Sequence, residues 1–427
     1  MDTKIGARKW ATMLLVGLFG QFAWTIENMY LNVFLYKTIS TDPGYIAAMV
    51  GWSAASATLT TLLMGALSDR IGRRKMFIVA GYLLWGVSVA AFGAITPENA
   101  AILAPGAKAV AVAAIMVVIL DCVMTFFGSA ANDAAFNAWV TDNTTPQSRG
   151  RAESVLAILP LLSMLVIFGA FDGLTQQGRW KEFFLIFGAA VSAVGLIALF
   201  LVKDAPELAP RTEGGLREML YGLRPDVVRS HPELYLSLAG FCLFSVAVQV
   251  YFPYLIIYMQ YYLGFDDYAI VLGVVLILAS LISVLAGKWI DRFGKLRFSF
   301  PAMAVMFVGL IALFLVRTRA GVMTAGTVMM GGYMMLTAVL SANIRDWTPE
   351  GKVGHFQGIR MIFQVLLPMV LGPSIGAAVI RSNPKTYIEL GQVKTVPTPG
   401  IFLAAAAVLL LVAIPVVLLR KRESKRA

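Results

Sequence analysis

The sequence predicts an all-α membrane protein whose 12 transmembrane helices form two parallel six-helix repeats. Three observations carry this. Apolar runs near 20 residues recur along the whole 427-residue chain, and each can cross roughly 30 Å of hydrocarbon. The composition, 59% hydrophobic and 14% charged with mean hydropathy +0.76, leaves too few polar residues to cover a water-soluble surface. A loop pattern in the first half returns in the second at a fixed offset. In the bilayer the backbone must close its hydrogen bonds within the chain, and the short alternating segments of a barrel are missing, so the spans are helices.

The predicted spans are Trp10–Tyr36, Tyr45–Ser68, Met76–Ile95, Ala109–Thr141, Ala152–Phe171 and Phe183–Val202, then Leu234–Leu263, Tyr268–Ile290, Phe298–Val316, Gly321–Ile344, Phe356–Ile380 and Ile401–Leu419. The first is too long for a signal h-region and is read as retained. The polar stretch between the sixth and seventh spans, with Pro206, Pro210, Gly214, Gly215 and Pro225, reads as a cytoplasmic linker with one short surface helix. The expected domains are therefore residues 1–202, a linker over 203–233, and residues 234–427 with a basic tail.

With an even number of spans both termini lie on one side, and 25 of the 35 lysines and arginines collect there. That side is read as cytoplasmic and the membrane as the cell's inner membrane. The net charge of +11 is this topological signal plus attraction to lipid, and no argument for nucleic acid. Cys122 and Cys242 are isolated in apolar runs and make neither a disulfide framework nor a metal site. No P-loop or H-E-x-x-H occurs, and the histidines are His231 and His355 alone, so an enzyme lacks its chemistry and no cofactor is expected. The expected partners are the bilayer and a small-molecule substrate, with the chain acting as a monomer.

A charge at the centre of a span costs roughly 2.5–3.5 kcal/mol on insertion scales, so each one needs a reason. Spans 3, 6, 9 and 12 have none at their centres and are expected to face lipid; polar residues gather in spans 1, 4, 5, 7, 10 and 11. In span 1, Gln21, Thr25, Asn28 and Asn32 fall at i, i+4, i+7 and i+11 and form one stripe, with Trp24 beside it and Glu27 farther round. In span 4, Asp121, Thr125, Gly128 and Asn132 form another, with Asp133 and Asn137 on the adjoining face. Span 7 offers Tyr251, Tyr254, Tyr258 and Tyr262 on one face, interrupted by Pro253, and span 11 aligns Gln357, Arg360 and Gln364.

Amides bridge adjacent hydroxyls and flat rings pack on the apolar face of a sugar, so the substrate set is Gln21, Trp24, Asn28, Asn32, Asn132, Asn137, Tyr254, Tyr258, Arg360 and Gln364. The alternative for any of the amides and tyrosines is helix-to-helix hydrogen bonding. Asp133, Glu27 and Asp121 are the candidates for cation coupling, since a desolvated carboxylate can load and release a proton. Glu153 and Asp172 lie near span ends and are expected to reach water.

The repeat is carried by Gly65-Ala-Leu-Ser-Asp69-Arg70-Ile-Gly72-Arg73-Arg74-Lys75, between spans 2 and 3, and by Gly287-Lys-Trp-Ile-Asp291-Arg292-Phe-Gly294-Lys295-Leu-Arg297, between spans 8 and 9. Gly65 and Gly287 allow close helix approach, Gly72 and Gly294 a tight turn, and Asp69 and Asp291 accept from nearby arginines or a helix N-terminus. The pattern resembles the signature loop of the major facilitator superfamily. That resemblance implies a secondary transporter working by alternating access, with Gly65, Asp69, Arg70, Gly72 and Arg73, and Gly287, Asp291, Arg292, Gly294 and Lys295, as cytoplasmic gating loops.

Within that superfamily, Phe19-Gly20-Gln21-Phe22-Ala23 through Met29-Tyr30-Leu31, and Asp133-Ala-Ala-Phe136 with Asp142, look like the first and fourth helices of the glycoside–pentoside–hexuronide:cation symporters, the melibiose-permease group. The implied substrate is a sugar or glycoside, and Asp133 then matches a position that binds sugar and cation. Sodium-using members carry acidic residues in the second span; Tyr45–Ser68 has none, which leaves a proton, or no cation, in place of sodium. The alternative reading is a proton-driven multidrug or metabolite exporter of the same fold.

Overall fold

The computed structural model describes residues 5–145, 148, 152, 155–204, 221–293, 295–349, 356–382, 385–389 and 392–424, with the backbone alone at 283–293, 295, 357, 387–389 and 392–394. Among these, ten helices are long and apolar enough to cross a membrane, from Pro43–Ile71 to Gly400–Glu423. The helix Tyr268–Phe293, whose apolar part is Tyr268–Ile282, and the broken helix over residues 7–38 complete the twelve. Most predicted boundaries lie within three or four residues of the observed ones.

The chain folds as two compact units. One holds Met1–Ser40 and Trp52–Leu216, the other Thr41–Gly51 and Arg217–Ala427. In the first unit, span 1 packs on spans 5 and 6, and span 3 on spans 4 and 6. In the second, span 7 packs on spans 11 and 12, and span 9 on spans 10 and 12. The packing scheme is the same six positions later, as the repeated loop predicts.

Small residues set these crossings. A Cβ on Gly81 of span 3 would run into Ala131 of span 4, and one on Gly332 of span 10 into the backbone of Met306 in span 9. Aromatic rings fill the rest of the first unit: Tyr30, Phe34, Phe183, Phe184 and Phe187 pack edge-on or tilted between spans 1 and 6.

Among the described residues five spans carry a π-helical turn: Ile26–Tyr30, Ser129–Phe136, Ile167–Phe171, Tyr258–Tyr262 and Ile362–Leu366. These are spans 1, 4, 5, 7 and 11, five of the six in which the sequence gathers its polar residues. A π turn adds a residue to the helix and re-aims the side chains that follow, and such turns concentrate at functional sites. Span 7 also tightens at Phe252–Tyr254, where Pro253 removes a backbone donor.

Several expectations are corrected. The all-α class holds, with one addition that the sequence reading left out: Lys385–Glu389 and Gln392–Val396 pair as an antiparallel hairpin before span 12, and their alternating K-T-Y-I-E and Q-V-K-T-V pattern is a strand pattern. A short helix, Pro97–Leu103, capped by Thr96, lies between spans 3 and 4. Asp172 does not reach water; it is buried and accepts from Tyr30 Oη at 3.0 Å and Gln176 Nε2 at 2.6 Å. Glu153 lies outside the described residues.

The end of the expected linker is part of the second unit. Val227, in the short helix Pro225–Ser230, packs in a core with Leu234, Leu238, Ile344, Phe356 and Ile359.

Candidate functional site

Spans 1 and 4 run antiparallel through the first unit in a tight register. Glu27 meets Thr125, Trp24 reaches Gly128, Gly20 faces the amide of Asn132, and Gly17 faces Phe136. Glycine at 17, 20 and 128 is what lets the larger partner fit on the opposing helix. Span 2 enters the same seam through Ser53 and Ser56, and the Ser56 hydroxyl donates to Cys122 O at 2.9 Å. Span 3 enters through Tyr82 and Trp85, and Trp24 and Trp85 have ring centroids 4.9 Å apart.

The acidic residues lie in this seam. Glu27 is 5% exposed and Asp121 1%. Glu27 Oε1 accepts from Ser53 Oγ at 2.6 Å and Thr125 Oγ1 at 2.9 Å. Its other oxygen, and Asp121 Oδ1, are buried without a hydrogen-bond partner. Asp133, half-buried, accepts from Ser129 Oγ at 3.0 Å and acts electrostatically on Glu27. Among the described residues no lysine, arginine or histidine pairs with any of the three. A carboxylate in hydrocarbon with no cation to neutralise it must bind one from outside or carry a proton.

The predicted amides divide into two sets. Gln21, Trp24 and Asn28 are half-buried and Asn137 is exposed, so a ligand can touch them. Asn32 and Asn132 are buried. Asn132 Nδ2 donates to Tyr82 Oη at 2.8 Å, which in turn donates to Val16 O at 2.7 Å, and so fastens spans 1, 3 and 4. The regular stripe expected in span 1 is broken by the π turn. Thr25, Asn28 and Asn32 each bond back to the carbonyl four residues earlier, and Thr25 also pairs with Ser163 at 2.9 Å.

In the second unit the tyrosines of span 7 do not form one open face. Tyr254 is buried, and its hydroxyl lies 2.9 Å from Pro373 O and 3.2 Å from Pro43 O. Tyr251 and Tyr258 pack on Phe402 of span 12, and Tyr258 stacks on Tyr262 at 5.1 Å, with its hydroxyl unbonded. Pro253 and the π turn rotate successive tyrosines away from a single line. Arg360 and Gln364 are half-buried in span 11, and Arg360 Nε has no hydrogen-bond partner. The side chain of Gln357 is not described.

The first loop is a closed network. Gly72 adopts φ 69°, the left-handed turn expected of it. The arginine that holds Asp69 is neither Arg70 nor Arg73 but the buried Arg74. Arg74 also donates to Asp142 at 3.2 Å and to Ser68 Oγ at 2.5 Å. In the second loop, Gly287, Asp291 and Arg292 end the helix Tyr268–Phe293 and Lys295 opens the next. Their side chains, and Gly294 entirely, lie outside the described residues.

Sequence reasoning missed Ser53, Tyr82 and Arg74. Ser53 sits in a span with no ionisable residue, so nothing in the sequence marks it apart from its neighbours.

Twelve spans in two like-packed units, with buried acids in the first that have no cationic partner among the described residues, define a polytopic membrane protein. The family profile described as "Major Facilitator Superfamily" matches residues 13–335 and 268–427, and the chain belongs to that superfamily.

Similar solved structures share the fold. The nucleoside transporter NupG, in a single-residue mutant form, is 11% identical, with a TM-score of 0.73 over 96% of this chain and 99% of that one. The xylose transporter XylE of E. coli is 13% identical, with a TM-score of 0.66 over 95% and 96%. A bacterial homologue of the human lysosomal transporter Spinster is 15% identical, with a TM-score of 0.65 over 97% and 96%. Among curated proteins, Multidrug resistance protein 2 of Bacillus subtilis is 22% identical over 348 residues, 80% of each chain.

Proposed function

We propose that this transporter moves a small polar solute, a sugar or glycoside, by alternating access, coupled to a proton. The observation that carries the reading is the set of carboxylates Glu27, Asp121 and Asp133, with no cationic partner among the described residues. Beside them Gln21, Trp24, Asn28 and Asn137 offer amides and a flat ring to a ligand. Arg360 and Gln364 of the second unit are the proposed contribution of span 11. The sugar class rests on the resemblance of residues 19–31 and 133–142 to the glycoside–pentoside–hexuronide:cation symporters. The proton rests on the lack of an acidic residue in the second span. The loops Gly65–Lys75 and Gly287–Arg297 serve as the cytoplasmic gates, in an inner-membrane monomer with both termini in the cytoplasm.

One cation entering down a 100 mV potential supplies about 2.3 kcal/mol, enough for a solute gradient of roughly 50-fold. The test is uptake of labelled glycosides and monosaccharides into proteoliposomes with and without an imposed pH gradient. Accumulation that collapses with a protonophore and is competed by glycosides supports the reading. Uptake indifferent to every sugar overturns the substrate class.

A second reading, a proton-driven exporter of lipophilic cations, is favoured by the likeness to Multidrug resistance protein 2 and by Trp24, Tyr82 and Trp85 clustered beside the acids. Competition by lipophilic cations and not by glycosides selects it.

A further inference from the structure

The contacts of Glu27 close a ring. Its Oε1 lies 2.6 Å from the Ser53 hydroxyl of span 2 and 2.9 Å from the Thr125 hydroxyl of span 4, and those two hydroxyls are 3.0 Å apart. Every pair is within hydrogen-bond distance. A hydroxyl has one hydrogen to give, and an ionised carboxylate has none. With Glu27 ionised, two hydrogens serve three contacts. Both go to Oε1, and the Ser53 and Thr125 oxygens face each other with no hydrogen between them. With Glu27 protonated on Oε1, three hydrogens serve three contacts. Glu27 then donates to Ser53, Ser53 to Thr125 and Thr125 to Glu27, and every contact is filled.

The second oxygen points to the same state. Glu27 Oε2 is buried with no hydrogen-bond partner. In a carboxylate that atom carries half of a charge. In a neutral acid it is a carbonyl oxygen, which goes unpartnered at far lower cost. The neighbouring titratable groups leave no cation on the ring. Span 2 has no ionisable residue within Tyr45–Ser68. Span 4 carries Asp121 and Cys122 about one turn before Thr125, and Asp133 about two turns after it. Tyr82 of span 3 is engaged by Val16 and Asn132, and Asp172 of span 5 by Tyr30 and Gln176. Span 6 has the exposed Lys181 and Glu182 in its first turn.

We propose that Glu27 is the proton carrier, and that Ser53 and Thr125 are positioning residues whose hydroxyls close into a ring with it when one proton is bound. This names the coupling group of the carrier inferred above and rests on that reading. In the loaded state the ring is complete and neutral, and the Ser53–Thr125 bond ties span 2 to span 4. On release the Glu27 O–H bond breaks, its electron pair stays on Glu27, and the proton passes to water. Ser53 then turns its hydrogen from Thr125 Oγ1 to Glu27 Oε1. Both hydroxyls now hold the carboxylate, and the bond between spans 2 and 4 is gone. One proton thereby changes how the helices of this unit are fastened, at the π turn Ile26–Tyr30 of span 1. Asp133, half-buried and four residues from exposed Asn137, is left to face the solute.

Two measurements on the full-length protein test this. The first needs no substrate: the infrared C=O stretch of a protonated carboxylic acid at pH 7. The spectrum of the wild type minus that of Glu27→Gln is expected to show one such band, at the high-frequency end set by a carbonyl that accepts no hydrogen bond. No band in that difference overturns the proposal without touching the carrier reading. The second uses proteoliposomes and the sugar taken up fastest in the panel above, and takes the ratio of pH-gradient-driven accumulation to exchange at equal pH.

Glu27→Gln, a fixed neutral analogue of the loaded acid, is expected to lower that ratio from as much as about 50-fold toward unity. Thr125→Val, which removes the hydroxyl at nearly equal shape, should lower it too, and Thr125→Ser, which keeps the hydroxyl, should restore it. An unchanged ratio in Glu27→Gln or in Thr125→Val overturns the proposal. So does accumulation driven by a sodium gradient and not by a pH gradient. Absence of exchange in the wild type overturns the carrier reading itself, and the infrared difference then decides the protonated ring alone.

Discussion

Replacing Arg74 by methionine tests whether the first loop is a folded network rather than a cluster of topological charges. Arg74 is 7% exposed at its side chain and contacts Asp69, Asp142 and Ser68; the two acids are 31% and 22% exposed. Removing one partner of a fully buried ion pair costs about 3–5 kcal/mol, and of an exposed pair about 0–1 kcal/mol. Acids between a fifth and a third exposed place this site between those limits, at about 2–3 kcal/mol. For a unit of this size that lowers the melting temperature by roughly 5–10 °C.

The assay is the apparent melting temperature in detergent at one scan rate, because unfolding of such a protein is irreversible. Arg70→Met and Arg73→Met are the controls: neither holds Asp69, and each should move stability by about 0.5 kcal/mol or less. Arg74→Lys should not rescue, since one ammonium cannot reach through Nε, Nη1 and Nη2 to three acceptors. Equal melting temperatures for the Met variants at 70, 73 and 74, or full rescue by lysine, would refute the reasoning.

Three further outcomes follow from single contacts. Gly72→Ala forces a Cβ onto a residue at φ 69° and should destabilise by roughly 1–2 kcal/mol, read by the same melt. Gly81→Val should reduce the folded fraction in size-exclusion chromatography, because its Cβ meets Ala131, whereas Gly169→Ala, with open space around it, should elute as wild type. Tyr82→Phe removes the donor to Val16 O and the acceptor for Asn132, at about 1–3 kcal/mol. A double-mutant cycle with Asn132→Ala should then show less than additive loss.

The membrane solvent, the twelve spans, the duplication and the glycine turn at Gly72 were all legible in the residue order. Each is written locally, as run length, hydropathy or a motif, and neighbours along the chain suffice to set it. Spans 1, 4, 5, 7 and 11 stood out in the same way, because an ionisable or amide side chain in hydrocarbon is costly wherever it points. Direction was not legible.

The stripe of Gln21, Thr25, Asn28 and Asn32 and the tyrosine face of span 7 assume an uninterrupted 3.6-residue helix. The π turns at Ile26–Tyr30 and Tyr258–Tyr262 break that period. It took the packed helices to show that Asn132 ties spans together and that Arg74 rather than Arg70 holds Asp69. The same is true of the Ser53 hydroxyl, which joins Glu27 of span 1 to Thr125 of span 4. Hydrogen-bond partners across a seam depend on how three helices cross, and a crossing is set by small residues on all of them at once.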